Sequence, residues 1–580
     1  MEANDAGGVL NLFVDEKIVD IYWRDLLALT WDFRTFKNSE RIEPFLSDRL
    51  NKSKISNVKL DAASVSLDRP APDLAWIRGF FGFETAVGVG VGLFRLVPVP
   101  VSGDGATGNE VNGLAWKAHT VFTNLKELKG FPEKVGPLRE HNPSHGKWVD
   151  KRRREVEFED TEPQVIVIGA GQSGLDAAAR LKLMDIPTLV LEKQARIGDQ
   201  WRNRYEALCL HDPVWYDHMP YLPFPPNWPV YTPAQKLADW LEAYAHNMEL
   251  NVWTSATVLK TEQDEKTKKW TVVVRRGDGK ERTFSVDHLV YALGLAGGVP
   301  NMPDIPGKEE FSGQILHSTQ HHRATDHVGK KVVIVGACTS SHDIAADYVE
   351  HGVDVTIYQR SSTYIMSTKQ GMPRMLGVYW NQPVPVEVAD MLGASFPNYF
   401  LKHMHKRVAR AIADADKKLL EDLNKVGFKT NLGPEDSGFL LMAYSRGGGY
   451  YLDVGASQMV IDGKIKIKNG SGIERFTKSG IKFADGSEIP ADVVIFATGF
   501  GDPRTAIASV SGKEIADKCK PIWGLNAEGE IRGNAREIGL PNLWYLMGNL
   551  ALCRFHSTHL ALQIKAKQEG VFGTRYSAQD

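Results

Sequence analysis

Two stretches of this chain have the form strand, glycine-bearing turn, helix, strand, and they constrain the fold more than any other feature. The first opens with VIVIGAGQSG at residues 165–174 and the second with VVIVGACTSS at residues 332–341. Both apolar runs are continuous rather than alternating, the pattern of parallel strands covered on both faces by helices. A chain that seats two nucleotides is suited to passing electrons between them, which points to a flavin and a nicotinamide.

In the first motif Gly169 permits the tight turn, Gly171 lets the backbone approach a pyrophosphate, and Gly174 allows close packing of helix on strand. The helix that opens there points its first amides at the phosphates. Glu192 ends the next strand, 23 residues after Gly169. A carboxylate there accepts a hydrogen bond from a free ribose 2′-hydroxyl and repels a 2′-phosphate, so the site suits FAD or NAD. The equivalent position of the second unit, 24 residues after Gly336, is Arg360. A guanidinium grips a 2′-phosphate bidentately, which assigns NADPH to the second site. Here Cys338 and Ser341 replace the second and third glycines; a Cβ at 338 is expected to crowd the pyrophosphate, while Ser340 and Ser341 offer hydroxyls to it.

The remaining composition narrows the partners. A formal net charge of −2 with interspersed signs leaves no footprint for nucleic acid or an anionic membrane. Cys209, Cys338, Cys519 and Cys553 are far apart, without a CxxC pair, which fits a reducing, cytoplasmic setting and speaks against a redox dithiol. The N-terminus lacks the basic and apolar regions of a signal peptide. The most apolar stretch, residues 74–101, is broken by Arg78, Glu84 and Arg95, so no membrane span is expected. The histidines of HSTQHH at residues 317–322 are too local to close a metal cage, and no metal is expected.

Along the chain, Ile18, Ile21, Tyr22 and Leu26 at helical spacing predict a helix over residues 14–30, followed by an antiparallel sheet that includes alternating runs at 58–67 and 116–125. Aromatics at sheet spacing there read first as core. The basic run 151–154 and the acidic residues after it read as a solvated linker. Two more apolar strands end in glycine, LVYALG at 289–294 and DVVIFATGF at 492–500, and residues 361–449 read as loops and helices with 402–423 the clearest amphipathic segment.

Taken in order, these motifs resemble those of class B flavin-dependent monooxygenases, the flavin-containing monooxygenase-like group, over roughly residues 163–570. GAGQSG and Glu192 are followed by GDQWRNRY, similar to the family's GxxW segment; LHDPVWYDHMPYLPFPPNWPVY looks much like the flavin-contacting stretch of the plant auxin-forming YUCCA monooxygenases. Residues 311–317, FSGQILH, match the FxGxxxH fingerprint, and ATGF and LPNLWYLMGNLA close the pattern. The segments TWDFRTF and WKAHTVFTNLKELKGFPE resemble the NTF2-like cone that precedes the flavin module in many fungal monooxygenases, a unit that can hold a ligand, mediate a homodimer or do neither. The resemblance implies an α/β fold with two Rossmann-like dinucleotide-binding domains, one for FAD and one for NADP, preceded by an α+β NTF2-like cone. Its boundaries are 1–150 for the extension, 151–163 for a linker, 164–325 and 491–580 for the FAD-binding domain, and 326–490 for the NADP-binding domain with a helical insertion.

The resemblance also implies cofactor contacts for Gln172 and Ser173 in the first turn, Lys193 beside Glu192, Trp201, His211, Asp217, Gly499 of ATGF and Asn549. No catalytic residue follows from it. His321 stands where the fingerprint usually has an aromatic residue, which weakens a Baeyer–Villiger reading, and residues 212–216 lack the asparagine that animal-type relatives place near the flavin. His317 reads as a structural histidine ordering an inter-domain turn. The implied activity is an NADPH- and FAD-dependent monooxygenase that inserts one atom of O2 into a small organic substrate through a flavin C4a-(hydro)peroxide, with secondary metabolism as the setting the extension suggests. The protein's part is a dry, shaped cavity. Alternatives are oxidative decarboxylation of an α-keto acid, as in YUCCA enzymes, and a non-catalytic flavin- or nucleotide-binding protein, which the weakened second loop keeps open.

Overall fold

A computed structural model describes residues 1–100, 114–295 and 299–577. The N-terminal region is a six-stranded sheet of β1 (Tyr22–Leu26), β2 (Phe33–Lys37), β3 (Ser56–Ala71), β4 (Leu74–Glu84), β5 (Gly88–Pro100) and β6 (Leu114–Leu128), in the order β2-β1-β6-β5-β4-β3. Only β1 and β6 run parallel; helix α1 (Ser39–Ser53) packs Ile42, Phe45, Leu46 and Leu50 into the core beside this sheet. The alternating runs at 58–67 and 116–125 are strands as expected, but the helix expected over 14–30 is not formed. Residues 22–26 are instead a strand buried on both faces, and Ile18 is exposed. A strand with no solvent face has no period-2 alternation, so chance spacing of apolar residues imitated a helix.

One residue of this strand sets a pH dependence. Asp25 is fully buried and accepts hydrogen bonds from Thr30 Oγ1 at 2.6 Å, Thr123 Oγ1 at 2.5 Å and the Leu29 and Thr30 amides. Burial pushes its pKa up to about 6, against the opposing pull of these donors. Between about pH 4 and about 6 the native state therefore holds a proton that the unfolded chain has released. Stability should fall with rising pH across this window, by at most about 1.4 kcal/mol per pH unit, and level off above it. Chemical denaturation of the wild type and Asp25→Asn across the window checks this, the substitution being expected to remove the slope.

The rest of the chain contains two units built to one plan. The first has the sheet order β16-β17-β10-β7-β8-β9, from β7 (Val165–Ile168), β8 (Thr188–Leu191), β9 (Val252–Trp253), β10 (His288–Tyr291), β16 (Arg536–Glu537) and β17 (Leu543–Tyr545). The second has β11-β15-β12-β13-β14, from β11 (Gln314–His317), β12 (Lys331–Val335), β13 (Asp354–Gln359), β14 (Ile465–Asn469) and β15 (Val493–Phe496). Both sheets are parallel apart from the β16–β17 pair. Helix α2 (Gln172–Leu183) follows β7, and α3 (Thr339–Glu350) follows β12. In each unit a three-stranded antiparallel meander precedes the strand that pairs with the first one, at 257–286 before β10 and 473–490 before β15.

This topology corrects two boundaries. Strand 314–317, placed in the first FAD segment, and strand 493–496, placed in its C-terminal part, both belong to the second sheet. The two strands that end in glycine are thus equivalent elements of the two units. The basic run 151–154 folds as part of a helix, Trp148–Glu157, with Arg152, Arg153 and Arg154 paired to Glu155, Glu159 and Asp160. The amphipathic segment 402–423 is divided between α5 (Asn398–Ala415) and a second helix, Lys417–Lys425, at Asp416, whose carboxylate accepts from Ser367 N–H and Oγ at 2.7 Å.

The N-terminal sheet is locked onto the first unit by buried bidentate ion pairs. Arg24 meets Glu530 at 2.7 and 2.8 Å, and Arg34 meets Glu528 at the same distances. His559 on helix α6 (Leu550–Gln568) shares a 2.7 Å hydrogen bond with Asn124 of β6. No helix among the described residues is long and apolar enough to cross a membrane, and all four cysteines are free.

Candidate functional site

The first turn has the geometry its glycines demand. At Gly169 φ is +109°, and a Cβ there would stand 2.5 Å from the carbonyl oxygen of Ala292, just past β10. A Cβ on Gly174 would stand 1.9 Å from Gly169 O. Gly169 N–H donates to Leu191 O at 2.8 Å, Ala170 N–H to Glu192 Oε2 at 2.9 Å, and the next backbone bond is Leu175 N–H to Gly171 O. The amides of Gly171, Gln172, Ser173 and Gly174 between them are the free donors of the first turn of α2, where an anion is stabilised. Glu192 is buried and held by the Ala170 and Gln194 amides, with Lys193 exposed beside it.

Gln200 was not legible as a site residue, yet its Nε2 lies 3.4 Å from the Cβ position of Gly171. Both amide atoms of Gln200, and Trp201 Nε1, are buried without a partner. Unmatched polar groups beside a cradle of free amides fit a bound dinucleotide, because leaving them desolvated and unpaired is costly. Ser173 offers the turn only its amide, because its hydroxyl meets Cys553 Sγ at 3.1 Å. Gln172 Nε2 donates to Gly548 O at 3.0 Å, tying the turn to the start of α6.

The second turn repeats this frame. At Gly336 φ is +127° and a Cβ would stand 2.4 Å from Ala497 O, just past β15. Its N–H donates to Tyr358 O at 3.0 Å, and the helical bonds resume at His342 N–H to Cys338 O. Ser341, expected to face a phosphate, is fully buried and donates its hydroxyl to Gly336 O at 2.6 Å, which takes the place of the third glycine's close contact. Ser340 is half-buried and hydrogen-bonds Tyr205, whose own hydroxyl donates to Asp343 at 2.9 Å. Cys338 has extended backbone, its sulfur accepts from Gly449 N–H at 3.3 Å, and burial pushes its thiol up. Arg360 is exposed just past the end of β13 and pairs with no carboxylate among the described residues.

Residues 211–217 join the two units. His211 Nδ1 shares a 2.8 Å hydrogen bond with Leu452 O, and Nε2 lies 3.1 Å from Asp343 of α3. Burial opposes the imidazolium, but the hydrogen bond and charge of Asp343, with the Leu452 carbonyl and Asp212, together outweigh it and raise the pKa. Both ring nitrogens are thus committed to docking the units rather than to the first turn. Asp217 is sealed at 1% exposure in the fields of Asp212 and Arg554, and burial pushes its pKa far up.

Asn549 caps α6 by accepting from Leu552 N–H, and its Nδ2 donates to Asp212 at 3.1 Å. Tyr216 also hydrogen-bonds Asn549, while Tyr444 and Tyr450 lie in the field of Asp212. Tyr450 O in turn accepts from Thr339 Oγ1 at the start of α3. Gln172 on one turn is thus linked through Gly548 and Asn549 to Asp212, whose charge acts on Tyr450, and the Tyr450 carbonyl meets Thr339 on the other turn. Asp212, Tyr216, Tyr444, Tyr450 and Asn549 are all half-buried. Burial nevertheless raises the pKa of Asp212 and every one of these tyrosines, Tyr444 to about 12.

Two strand-like crossings connect the units. Asn301 N–H donates to Gly499 O at 2.9 Å and Gly501 N–H to Val299 O at 3.3 Å. His317 shares a 3.1 Å hydrogen bond with Gly499 O and sits edge-on to Phe500. It orders this crossing, and Gly499 belongs to the crossing rather than to the first turn.

Against known proteins, the family model described as FMO-like, flavin-binding monooxygenase-like, matches residues 162–504, more than half the chain. Indole-3-pyruvate monooxygenase YUCCA1 of Oryza sativa subsp. japonica is 28% identical over 358 residues, 61% of this chain and 80% of that protein. Indole-3-pyruvate monooxygenase YUCCA8 of Oryza sativa subsp. indica is 30% identical over 66% of this chain and 83% of its own length. Among solved structures, the polycyclic ketone monooxygenase of the thermophilic fungus Thermothelomyces thermophila superposes with a TM-score of 0.50 at 18% identity, covering 72% of this chain and 79% of that one.

Proposed function

The chain belongs to the flavin-binding monooxygenase-like family, and on that premise we propose that it seats FAD on the Gly169–Gly174 turn and NADPH on the turn after Gly336, and oxygenates a small organic substrate in the space between them. One oxygen atom enters the substrate, the other leaves as water, and NADPH supplies two electrons. The observation that carries this reading is the chain of residues from Gln172 to Thr339 that brings the two helix starts to one cluster of tyrosines around Asp212.

When bound, the flavin supplies the oxygen-transferring chemistry and the nicotinamide the reducing equivalents. The Gly171–Gly174 amides hold the FAD pyrophosphate, Glu192 accepts from its ribose, and the Gln200 amide and Trp201 indole lie beside it. Arg360 holds the 2′-phosphate of NADPH, with Ser340 and the α3 amides at its pyrophosphate. Tyr216, Tyr444 and Tyr450 exclude water and bound the substrate, and Asn549 positions the Asp212 carboxyl. The first 150 residues, a sheet with a helix packed beside it, are read as an NTF2-like cone.

The indole-3-pyruvate monooxygenases similar to this chain support a second reading, oxidative decarboxylation of an α-keto acid. Asp212 speaks for an uncharged substrate instead, because a carboxylate placed beside it would add a second desolvated acid. Purified protein should be yellow and should bleach when NADPH is added without oxygen. In air, the right substrate should raise NADPH consumption and yield a product heavier by one oxygen atom, whereas an α-keto acid substrate would lose carbon dioxide. A yellow protein that NADPH does not reduce would leave only a nucleotide-binding role.

A further inference from the structure

The N-terminal sheet holds a buried cation that is paired with no carboxylate among the described residues. The buried arginines among the described residues are Arg24, Arg34, Arg49, Arg95, Arg536 and Arg554. Five of them pair with a carboxylate, on Glu530, Glu528, Asp48, Asp32 and Asp390 respectively. Arg95, at 1% exposure, is the exception. Its Nη2 donates to Ser395 Oγ at 2.8 Å, its Nη1 reaches Thr120 Oγ1 at 3.5 Å, and its Nε has no partner. Burial pushes its pKa down to about 9.

A second polar group lies beside it. Arg95 pairs with Thr120 and Leu96 with Ala118, so His119 is the extra residue of a β-bulge, a device that re-aims a side chain. His119 is 6% exposed, its ring faces the Asp20 backbone without a close hydrogen bond among the described residues, and burial with the nearby Arg95 charge lowers its pKa to about 4 against the pull of Asp20.

Two rings from the helical insertion cover both groups. Phe396, between α4 (Val386–Ala394) and α5, has its ring centroid 3.5 Å from the Arg95 guanidinium carbon, with Trp76 at 5.8 Å. Phe400 stands edge-on to His119 at 5.0 Å and stacks on Phe396 at 5.9 Å. Aromatic faces offset part of the cost of burying a cation, but they leave it without a carboxylate and with its Nε unmatched. The backbone of this segment is fixed, since Arg24 donates to the carbonyls of Ala394 and Phe396. Phe396 is itself only half-buried.

We propose that Arg95 and His119 form a binding site for an aromatic monocarboxylate, separate from the nucleotide crevices. Its carboxylate takes the Arg95 fork and the His119 ring, and its ring replaces Phe396 against Trp76. In the absence of ligand, Phe396 occupies that place as the protein's own substitute.

Calorimetric titration of the full FAD-loaded chain with phenylacetate and with phenylacetamide tests this, and without NADPH it is independent of oxygenase turnover. Phenylacetate should bind saturably at one site per chain, and the neutral amide about ten-fold more weakly or worse, the loss of one charge-assisted contact. Phe396→Ala should tighten phenylacetate by removing the competitor, and Arg95→Met should abolish the preference for the acid. The first of these decides the matter even if the second variant does not fold. Equal binding of acid and amide, unchanged affinity in Phe396→Ala, or full phenylacetate binding by folded Arg95→Met would each overturn the site.

Discussion

Gly174→Ala should yield a folded but colourless protein with no NADPH oxidation. The added Cβ would stand 1.9 Å from Gly169 O and 3.3 Å from Ala292 Cβ, and neither neighbour is the free end of a flexible side chain. Gly169 O cannot retreat, because Gly169 is itself wedged against Ala292 O at φ +109°. The start of α2 must therefore lift away from β7, carrying with it the four amides that converge on one anion. Overpacking of this kind costs up to about 3 kcal/mol, or about 100-fold in FAD affinity. The second unit shows why alanine is the informative choice: Ser341 is accommodated there with its hydroxyl bonded to Gly336 O, a bond that alanine cannot make. The ratio of flavin to protein absorbance after purification, with far-ultraviolet circular dichroism as the folding control, gives the answer. A fully yellow variant would remove this turn as the FAD site.

The residues legible from sequence were those whose role is set by backbone geometry within one short segment. Gly169, Gly174 and Gly336 stand where a strand must turn into a helix against a neighbouring carbonyl, and Glu192 and Arg360 lie at or just past the tips of the next strands, so spacing alone located them. Side-chain direction was not legible. Ser173, Ser341 and His211 lie in or near the right segments, yet their polar atoms turn to Cys553, Gly336 and Asp343 because each finds a buried partner there. The grouping of tyrosines around Asp212 was hidden for a different reason. Tyr216, Tyr444 and Tyr450 come from two distant stretches, and only the packing of residues 444–450 against the 211–217 segment brings them to Asp212. The helix wrongly expected over 14–30 failed because burial on both faces erases the period that distinguishes strands.

Arg360→Ala should raise the KM for NADPH by about 10- to 100-fold while changing that for NADH less than about two-fold, the value of one or two charge-assisted hydrogen bonds to phosphate. The guanidinium is exposed, so it carries no desolvation cost while it waits and gains a dianion when NADPH arrives. No carboxylate among the described residues competes for it. The contrast with Glu192 makes the effect specific. The same ladder position in the first unit bears a buried carboxylate held by two amides, which repels a 2′-phosphate and so prevents NADPH from occupying the flavin's place. Because the contact is at the surface, its advantage should shrink as salt rises toward a Debye length of about 3 Å near 1 M. Arg360→Lys should retain part of the preference, since a point charge attracts the phosphate without the bidentate fork. Steady-state rates with both nucleotides at low and high salt test all three expectations together. Equal losses for NADPH and NADH would mean that Arg360 supports the loop rather than reading the phosphate, and the assignment of the two nucleotides to the two turns would have to be reversed or abandoned.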